Sequence, residues 1–178
     1  MKHIALITGG CRSGKSRHAL ALAQQAGGHE RFFVATCVPQ DEEMHQRVAR
    51  HQAERDPAWQ TIEEPVMIAD TIARYDSADS VILVDCLTLW TNNLLMIDED
   101  LASIEKNIQQ LTHVLKAAGG TVILVSNEVG MGIVPENLLA RQFRDFAGFV
   151  NRRMAEAADR VIMTVAGLPV RIKPGNHP

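Results

Sequence analysis

A glycine-rich segment close to the first residues carries the clearest chemistry in this sequence. Residues 9–16 read GGCRSGKS and match the pattern G-x-x-x-x-G-K-[ST] in full, directly after an apolar run and at the start of a helical pattern. Backbone N–H groups of such a loop converge on phosphate oxygens, and the N-terminus of the following helix adds partial positive charge. Lys15 would reach the outer phosphates, and the hydroxyl of Ser16 would ligate Mg²⁺. We therefore predict a nucleotide phosphate site composed of Gly9, Gly10, Cys11, Arg12, Ser13, Gly14, Lys15 and Ser16.

A carboxylate at the end of a neighbouring strand would complete the magnesium shell. Asp85 directly follows the apolar run VILV at 81–84, and ligands of open α/β sheets bind beyond the carboxyl ends of the strands. We predict Asp85 as the second metal ligand, with a turn aspartate as the alternative. Asn127 and Glu128 follow a second VILV run and are expected to face the same crevice, in roles that stay open. The text NEVG at 127–130 stands where a Ras-type switch would read guanine with N-K-x-D, so these residues favour a small-molecule kinase over a GTP switch.

A basic helix carries a second possible site. The pattern predicts a helix over 41–55, on which Arg47, His51 and Arg55 lie four residues apart on one face. Two fixed positive charges disfavour protonation of the histidine between them, and a neutral imidazole is a competent nucleophile. The guanidinium groups would gather a polyphosphate around it, which suits attack on a nucleotide phosphorus with release of pyrophosphate. On these residues alone, a solvated basic face is the more common interpretation.

Short apolar runs alternate with helical patterns, which indicates βαβ units and an α/β fold with a mostly parallel central sheet flanked by helices. The predicted strands are 3–8, 31–36, 80–85, 121–126, 160–165 and a short one at 170–173. The predicted helices are 14–26, 41–55, 101–118 and 136–158. The two VILV runs lack polar alternation, so we expect the strands that contain them to be buried on both faces.

Length and composition exclude several classes of protein. The chain has 178 residues, 46% of them hydrophobic, which suits one folded domain over 1–173 with a frayed tail at 174–178. The net charge of −3 does not suit a nucleic-acid-coating protein. No apolar run approaches the ~20 residues of a membrane-spanning helix. Three cysteines without a C-x-x-C pair indicate reduced thiols in the cytoplasm rather than disulfides or a zinc site.

Taken together, these residues resemble the bifunctional adenosylcobinamide kinase / adenosylcobinamide-phosphate guanylyltransferase family of cobalamin biosynthesis. The resemblance covers essentially the whole chain, and its most specific text is SNEVGMGIVPEN at 126–137. Four further segments match: TGG-x-RSGKSR at 8–17, W-x-T-x-E at 59–63, DCLT at 85–88 and NNLL at 92–95. Shorter matches are AT at 35–36 and, in the basic helix, EM at 43–44 and RV at 47–48 together with His51 and Arg55. Cys11 replaces the alanine that is commoner at this loop position.

The resemblance implies two reactions on a RecA-like P-loop fold. The first phosphorylates the aminopropanol hydroxyl of adenosylcobinamide with ATP or GTP. The second moves GMP from GTP onto that phosphate through a guanylyl-histidine, which matches His51, and yields adenosyl-GDP-cobinamide and pyrophosphate. The resemblance also implies a homo-oligomer, a trimer where known, and Mg²⁺ with the nucleotide. Beside the loop and Asp85, the nucleotide-binding residues that it implies are Ala35, Thr36, Cys37, Arg47, Arg55 and Glu63.

Two other functions remain open at this point. A P-loop kinase that acts on another small molecule would need the loop but not the arginine and histidine face of the helix. The second is a nucleotide-dependent binding module, which would need neither an acceptor site nor a nucleophile. The absence of the guanine-binding sequence N-K-x-D weighs against it.

Overall fold

The computed structural model describes residues 3–39, 41–53, 56–97 and 101–173, without the side chains of residues 43, 47, 50, 51, 53 and 101. Arg55 and the predicted tail at 174–178 therefore lie outside the described residues. So do the side chains of Arg47 and His51, whose backbone is described.

A seven-stranded sheet forms the centre of the described part of the chain. Its strands are β1 His3–Gly9, β2 Glu30–Ala35, β3 Trp59–Glu63, β4 Ser80–Asp85, β5 Thr121–Val125, β6 Arg160–Val165 and β7 Leu168–Lys173. Their order across the sheet is β3-β2-β4-β5-β1-β6-β7. The strands β1 to β6 pair in parallel, and β7 turns back to pair antiparallel with β6. The carboxyl ends of the six parallel strands therefore share one edge of the sheet.

The helices connect these strands. They are α1 Lys15–Gln25, α2 Glu42–Ala53, α3 Ile68–Tyr75, α4 Leu87–Ile97, α5 Leu101–Ala117 and α6 Leu138–Ala157. The prediction of an α/β fold with a mostly parallel sheet is confirmed, and each predicted strand and helix is present within a few residues of its expected ends. None of the helices in the described ranges is long and apolar enough to cross a membrane.

Three elements are present that the sequence patterns did not predict. The strand β3 is an edge strand in which three of five residues are exposed, so it lacks a continuous apolar run. The helix α3 has only eight residues. The helix α4 begins directly after β4, and its mixture of apolar and small polar residues shows weak helical periodicity because most of it is buried.

Side chains of alternate residues fill two cores, one on each face of the sheet. Ile82 and Val84 of β4 join one core with α3, α4, α5 and α6. Leu83 points to the other core, which α1 covers with Ala19 and Ala23. All residues of β5 and all but the last of β4 are buried, which confirms the expectation for the VILV runs. The central strands are thus held from both sides, and their carboxyl ends are fixed in position.

The two tryptophans allow a matched test of this packing. Trp90 is buried and its Nε1 donates a 2.7 Å hydrogen bond to the carbonyl of Val66. Trp59 is also buried, but its Nε1 has no hydrogen-bond partner among the described residues. We expect Trp90→Phe to lower the free energy of unfolding by about 1 kcal/mol more than Trp59→Phe, because only the first removes a hydrogen bond, which the half-buried carbonyl of Val66 accepts. Urea unfolding of both variants measures the difference, and equal losses would contradict it.

Candidate active site

The phosphate loop begins at the last residue of β1 and ends at the first turn of α1. Gly9 has φ 148° and Gly14 has φ 93°, in the region that favours glycine. A Cβ atom on Gly9 would lie 2.5 Å from both the carbonyl oxygen and the hydroxyl of Thr164, and 2.7 Å from Oγ of Ser13. Only glycine therefore lets the loop leave β1 so close to β6.

A hydroxyl pair joins the loop to β6. Ser13 Oγ lies 2.7 Å from Thr164 Oγ1, and Thr164 Oγ1 donates to the carbonyl of Thr8 at 3.2 Å. Because the Thr164 hydroxyl has one hydrogen, Ser13 is the donor in the first bond. The backbone N–H of Gly167 also donates to the carbonyl of Ser13 at 3.1 Å. The sequence analysis did not identify Thr164, and its only signal was a threonine near the end of an apolar run.

Lys15 lies within the loop. Its side chain is 8% exposed, and its Nζ donates a 2.7 Å hydrogen bond to the carbonyl of Gly10. Ser16 is half-buried in the first turn of α1, and Cys11 is exposed on the loop. The ammonium group thus sits beside the loop backbone, where phosphate oxygens would be held.

Thr36 connects the ends of β2 and β4. Its N–H donates to the carbonyl of Asp85 at 3.3 Å. Its hydroxyl donates to the carbonyl of Cys86 at 2.7 Å and accepts from the N–H of Cys86 at 2.8 Å. Thr36 is fully buried, so its hydroxyl positions the backbone next to Asp85 instead of facing the crevice. Asn93 of α4 adds a 2.8 Å hydrogen bond from its Nδ2 to the carbonyl of Thr36.

The residue that follows Asp85 is a buried cysteine, Cys86. Burial and the nearby charge of Asp85 raise the pKa of Cys86 to about 11. The thiol therefore stays protonated at neutral pH and is a poor nucleophile there. The charged acidic group at the carboxyl end of β4 is therefore Asp85, not the neighbouring thiol.

The strand order sets how far each acidic residue lies from the phosphate loop. Adjacent strands are about 4.8 Å apart, so Asp85 on β4 is two spacings, or about 10 Å, from β1. Glu63 on β3 is four spacings, or about 19 Å, from β1. Glu128 follows β5, the immediate neighbour of β1. The predicted site residues therefore spread along the edge rather than forming one cluster.

The segment after β5 is held from three sides. The hydroxyl of Thr88 accepts from the N–H of Asn127 at 2.6 Å, and the carbonyl of Asn127 accepts from Asn151 Nδ2 at 3.0 Å. The next N–H, that of Glu128, donates to the carbonyl of Gly9 at 3.0 Å. This segment and the phosphate loop are consequently one hydrogen-bonded unit. Thr88 and Asn151 are further residues that sequence reasoning did not single out for the site.

The predicted basic helix exists as α2, which starts after the carboxyl end of β2 and leads to β3. Asp41 caps it, since its Oδ1 accepts from the N–H of Met44 at 2.7 Å. Arg47 and His51 both lie within α2, four residues apart and so about one turn from each other. None of the α2 side chains that the structure describes is fully buried.

The donor set near the loop suits a hard divalent cation. Among the described residues no group of three or more His, Cys, Asp or Glu side chains could hold a metal by itself. Mg²⁺ usually takes one or two protein oxygens and completes its shell with water and phosphate. The hydroxyl of Ser16 and the carboxylate of Asp85 are oxygen donors of this kind.

Solved structures with this architecture are P-loop ATPases. An ATPase from the type III secretion system of pathogenic bacteria aligns with TM-score 0.61 and 11% identity, over 95% of this chain and 56% of that one. A second solved ATPase domain aligns with TM-score 0.55 and 12% identity, over 99% of this chain and 78% of that one. At these identities the likeness concerns the fold alone. The fold of this chain is therefore the RecA-like P-loop fold that the sequence predicted.

The sequence matches identify the family. The family described as cobinamide kinase / cobinamide phosphate guanyltransferase matches residues 5–172. The bifunctional adenosylcobalamin biosynthesis protein CobP of Pseudomonas aeruginosa is 44% identical over 94% of this chain and 96% of that protein. CobU proteins of the same description from Salmonella typhimurium and Escherichia coli are 44% and 39% identical over 94% of this chain and 98% of each. This chain belongs to that family, which confirms the predicted pairing of a kinase with a nucleotidyltransferase in cobalamin biosynthesis.

The glycines of the loop provide a test of its geometry. We expect Gly9→Ala to lower the free energy of unfolding by about 1–3 kcal/mol and to weaken nucleotide binding at least ~10-fold, because its Cβ would collide with Thr164 and Ser13. Gly10→Ala is the matched control, since a Cβ there meets nothing within 4 Å, and its stability should change by less than ~0.5 kcal/mol. Urea unfolding and titration with a fluorescent GTP analogue report the two effects. Equal stability of both variants would show that the approach to Thr164 is not required.

Proposed function

We propose that this chain phosphorylates the aminopropanol hydroxyl of adenosylcobinamide with ATP or GTP, and then transfers GMP from GTP to the new phosphate. The products are adenosyl-GDP-cobinamide and pyrophosphate. The observation that carries the proposal is the complete phosphate loop at the carboxyl edge of the sheet, in a chain that matches a two-activity family over residues 5–172. ATP and GTP both suit this loop, because its backbone N–H groups would recognise the phosphates that the two nucleotides share.

The loop, Lys15 and Asp85 serve the kinase step. Backbone N–H groups and the Lys15 ammonium hold the outer phosphates, while Ser16 and Asp85 are the residues that would hold Mg²⁺. When bound, the cation neutralises charge on the transferring phosphoryl group. Asp85 lies about 10 Å across the edge from β1, with the end of β5 between them, so a phosphate-bound cation would lie beyond the carboxyl end of β5.

His51 of α2 serves the guanylyl transfer. Its imidazole attacks the α-phosphorus of GTP, the P–N bond forms, and the bond to pyrophosphate breaks. A phosphate oxygen of adenosylcobinamide phosphate then attacks the same phosphorus, and the P–N bond breaks. Arg47 and Arg55 are the residues proposed to hold the triphosphate during the first displacement.

The breadth of the edge supports separate regions for the two reactions. The loop and Asp85 lie around β1, β5 and β4, whereas Ala35, Cys37 and Glu63 lie at the ends of β2 and β3, on either side of α2 in the chain. We assign the second group to the nucleotide that reacts with His51, because Glu63 is about 19 Å from β1.

We also propose a homo-oligomer, a trimer by resemblance to the family. The edge strand β7 supports it, because Leu168 and Val170 lie on one face of the strand and are 69% and 51% exposed. Ile172, at the irregularity in the pairing with β6, is also 59% exposed. An uncovered apolar face on an edge strand is typical of an interaction surface. The proposed location is the cytoplasm, which suits three free cysteines.

Labelling with GTP that carries ³²P at the α-phosphate tests the histidine. We expect wild-type protein and His45→Ala to retain label that is stable in alkali and labile in acid, and His51→Ala to retain none. His45 is the matched control because it is an exposed histidine of the same helix. Wild-type protein without retained label, but with turnover of adenosylcobinamide, would favour a single-activity kinase.

Substitution on β7 tests the oligomer. We expect Val170→Asp to reduce the molar mass in solution to that of one chain, because a charge on the apolar face cannot be buried against a partner without a large desolvation cost. Arg171→Glu, on the opposite face of the strand, should keep the wild-type mass. Light scattering after size-exclusion chromatography gives both masses, and urea unfolding checks that each variant is folded. A monomeric wild-type protein refutes the proposed assembly.

A further inference from the structure

A third carboxylate lies closer to the phosphate loop than either acidic residue assigned above. Glu128 follows β5, one strand spacing of about 4.8 Å from β1. Its backbone N–H donates to the carbonyl of Gly9 at 3.0 Å, which attaches it to the first residue of the loop. Asp85 is two spacings from β1 and Glu63 is four. Of these three carboxylates, Glu128 is therefore the one that follows the strand next to the phosphate loop.

The two carboxylate oxygens of Glu128 differ in their hydrogen bonding. Its Oε1 accepts a hydrogen bond from the N–H of Gly130 at 3.2 Å. A Cβ on Gly130 would lie 3.3 Å from that oxygen, so a side chain there would crowd the carboxylate. Within the described part of the chain, Oε2 makes no hydrogen bond or ion pair. One oxygen thus fixes the orientation of the carboxylate while the other can accept a proton.

The backbone around Glu128 is held in place before any substrate binds. Thr88 and Asn151 hold the preceding residue, Asn127, through its N–H and its carbonyl. Asn151 is itself buried within α6. A carboxylate carried by such a segment is ordered in advance, which is what general acid–base catalysis requires.

We propose that Glu128 is the general base of the kinase step. The hydroxyl oxygen of the acceptor attacks the γ-phosphorus, the new P–O bond forms, and the bond to the bridging oxygen breaks with release of the nucleoside diphosphate. The hydroxyl proton passes to Oε2 of Glu128 and then to solvent. This inference rests on the proposed kinase activity and adds the residue that receives the proton. The guanylyl transfer does not need Glu128, because its acceptor is already an anionic phosphate.

Glu128→Gln isolates this role. The amide oxygen of glutamine can still accept from the N–H of Gly130, but it cannot take a proton. We expect kcat of adenosylcobinamide phosphorylation to fall about 10²–10⁴-fold, with KM for the nucleotide within about threefold of wild type. Transfer of GMP to supplied adenosylcobinamide phosphate should stay within about twofold of wild type.

Glu105→Gln is the matched control, because Glu105 is an exposed residue of α5 outside the site, and all three readouts should match wild type. A kinase kcat of Glu128→Gln within about threefold of wild type overturns the proposal. An equal loss in both reactions, or a changed Mg²⁺ requirement in both, also overturns it and assigns Glu128 to the loop or to the metal shell. Failure of the proposed function gives a different result, since wild-type protein would then not phosphorylate adenosylcobinamide.

Discussion

The close approach of β1 and β6 at Gly9 is the constraint on which the phosphate loop depends. A side chain at this position would overlap with Thr164, and the positive φ of Gly9 directs the chain away from the sheet. Because the strands are this close, the Thr164 hydroxyl reaches both the carbonyl of Thr8 and the side chain of Ser13. The loop is thus shaped by protein contacts before a nucleotide arrives. A loop that is held in this way loses less conformational entropy when it binds a ligand.

The strand order extends this constraint across the whole edge. A strand inserted between β1 and β4 places Glu128 beside the loop and Asp85 one strand further away. The ends of β2 and β3, with α2 between them in the chain, lie beyond both. The chain thereby presents a broad edge, along which the candidate site residues are spread. Thr36 and Asn93 connect the middle of that edge through hydrogen bonds to Cys86 and to the loop after β2.

Local sequence was sufficient for the elements with strong patterns. The VILV runs predicted β4 and β5, because strands that are buried on both faces consist of nearly uninterrupted apolar residues. The sequence GGCRSGKS predicted both the end of β1 and the start of α1, because this pattern typically forms a phosphate-binding loop between a strand and a helix. The strand β3 and the helix α4 were not predicted, because an exposed edge strand and a largely buried helix both lack clear periodicity. The supporting roles of Thr164, Thr88 and Asn151 were equally unpredictable, since each acts through a partner distant in the chain.

The sequence by itself determined the family, the fold class and the chemical character of the loop, because these depend on residue types at short, fixed spacings. Only the tertiary structure decided which carboxylate lies next to the loop. Asp85 and Glu63 are the last residues of their strands and Glu128 follows β5, and nothing in the neighbouring sequence ranks the three by distance from Gly9. That ranking comes from the order in which the strands pair, which hydrogen bonds between remote segments establish.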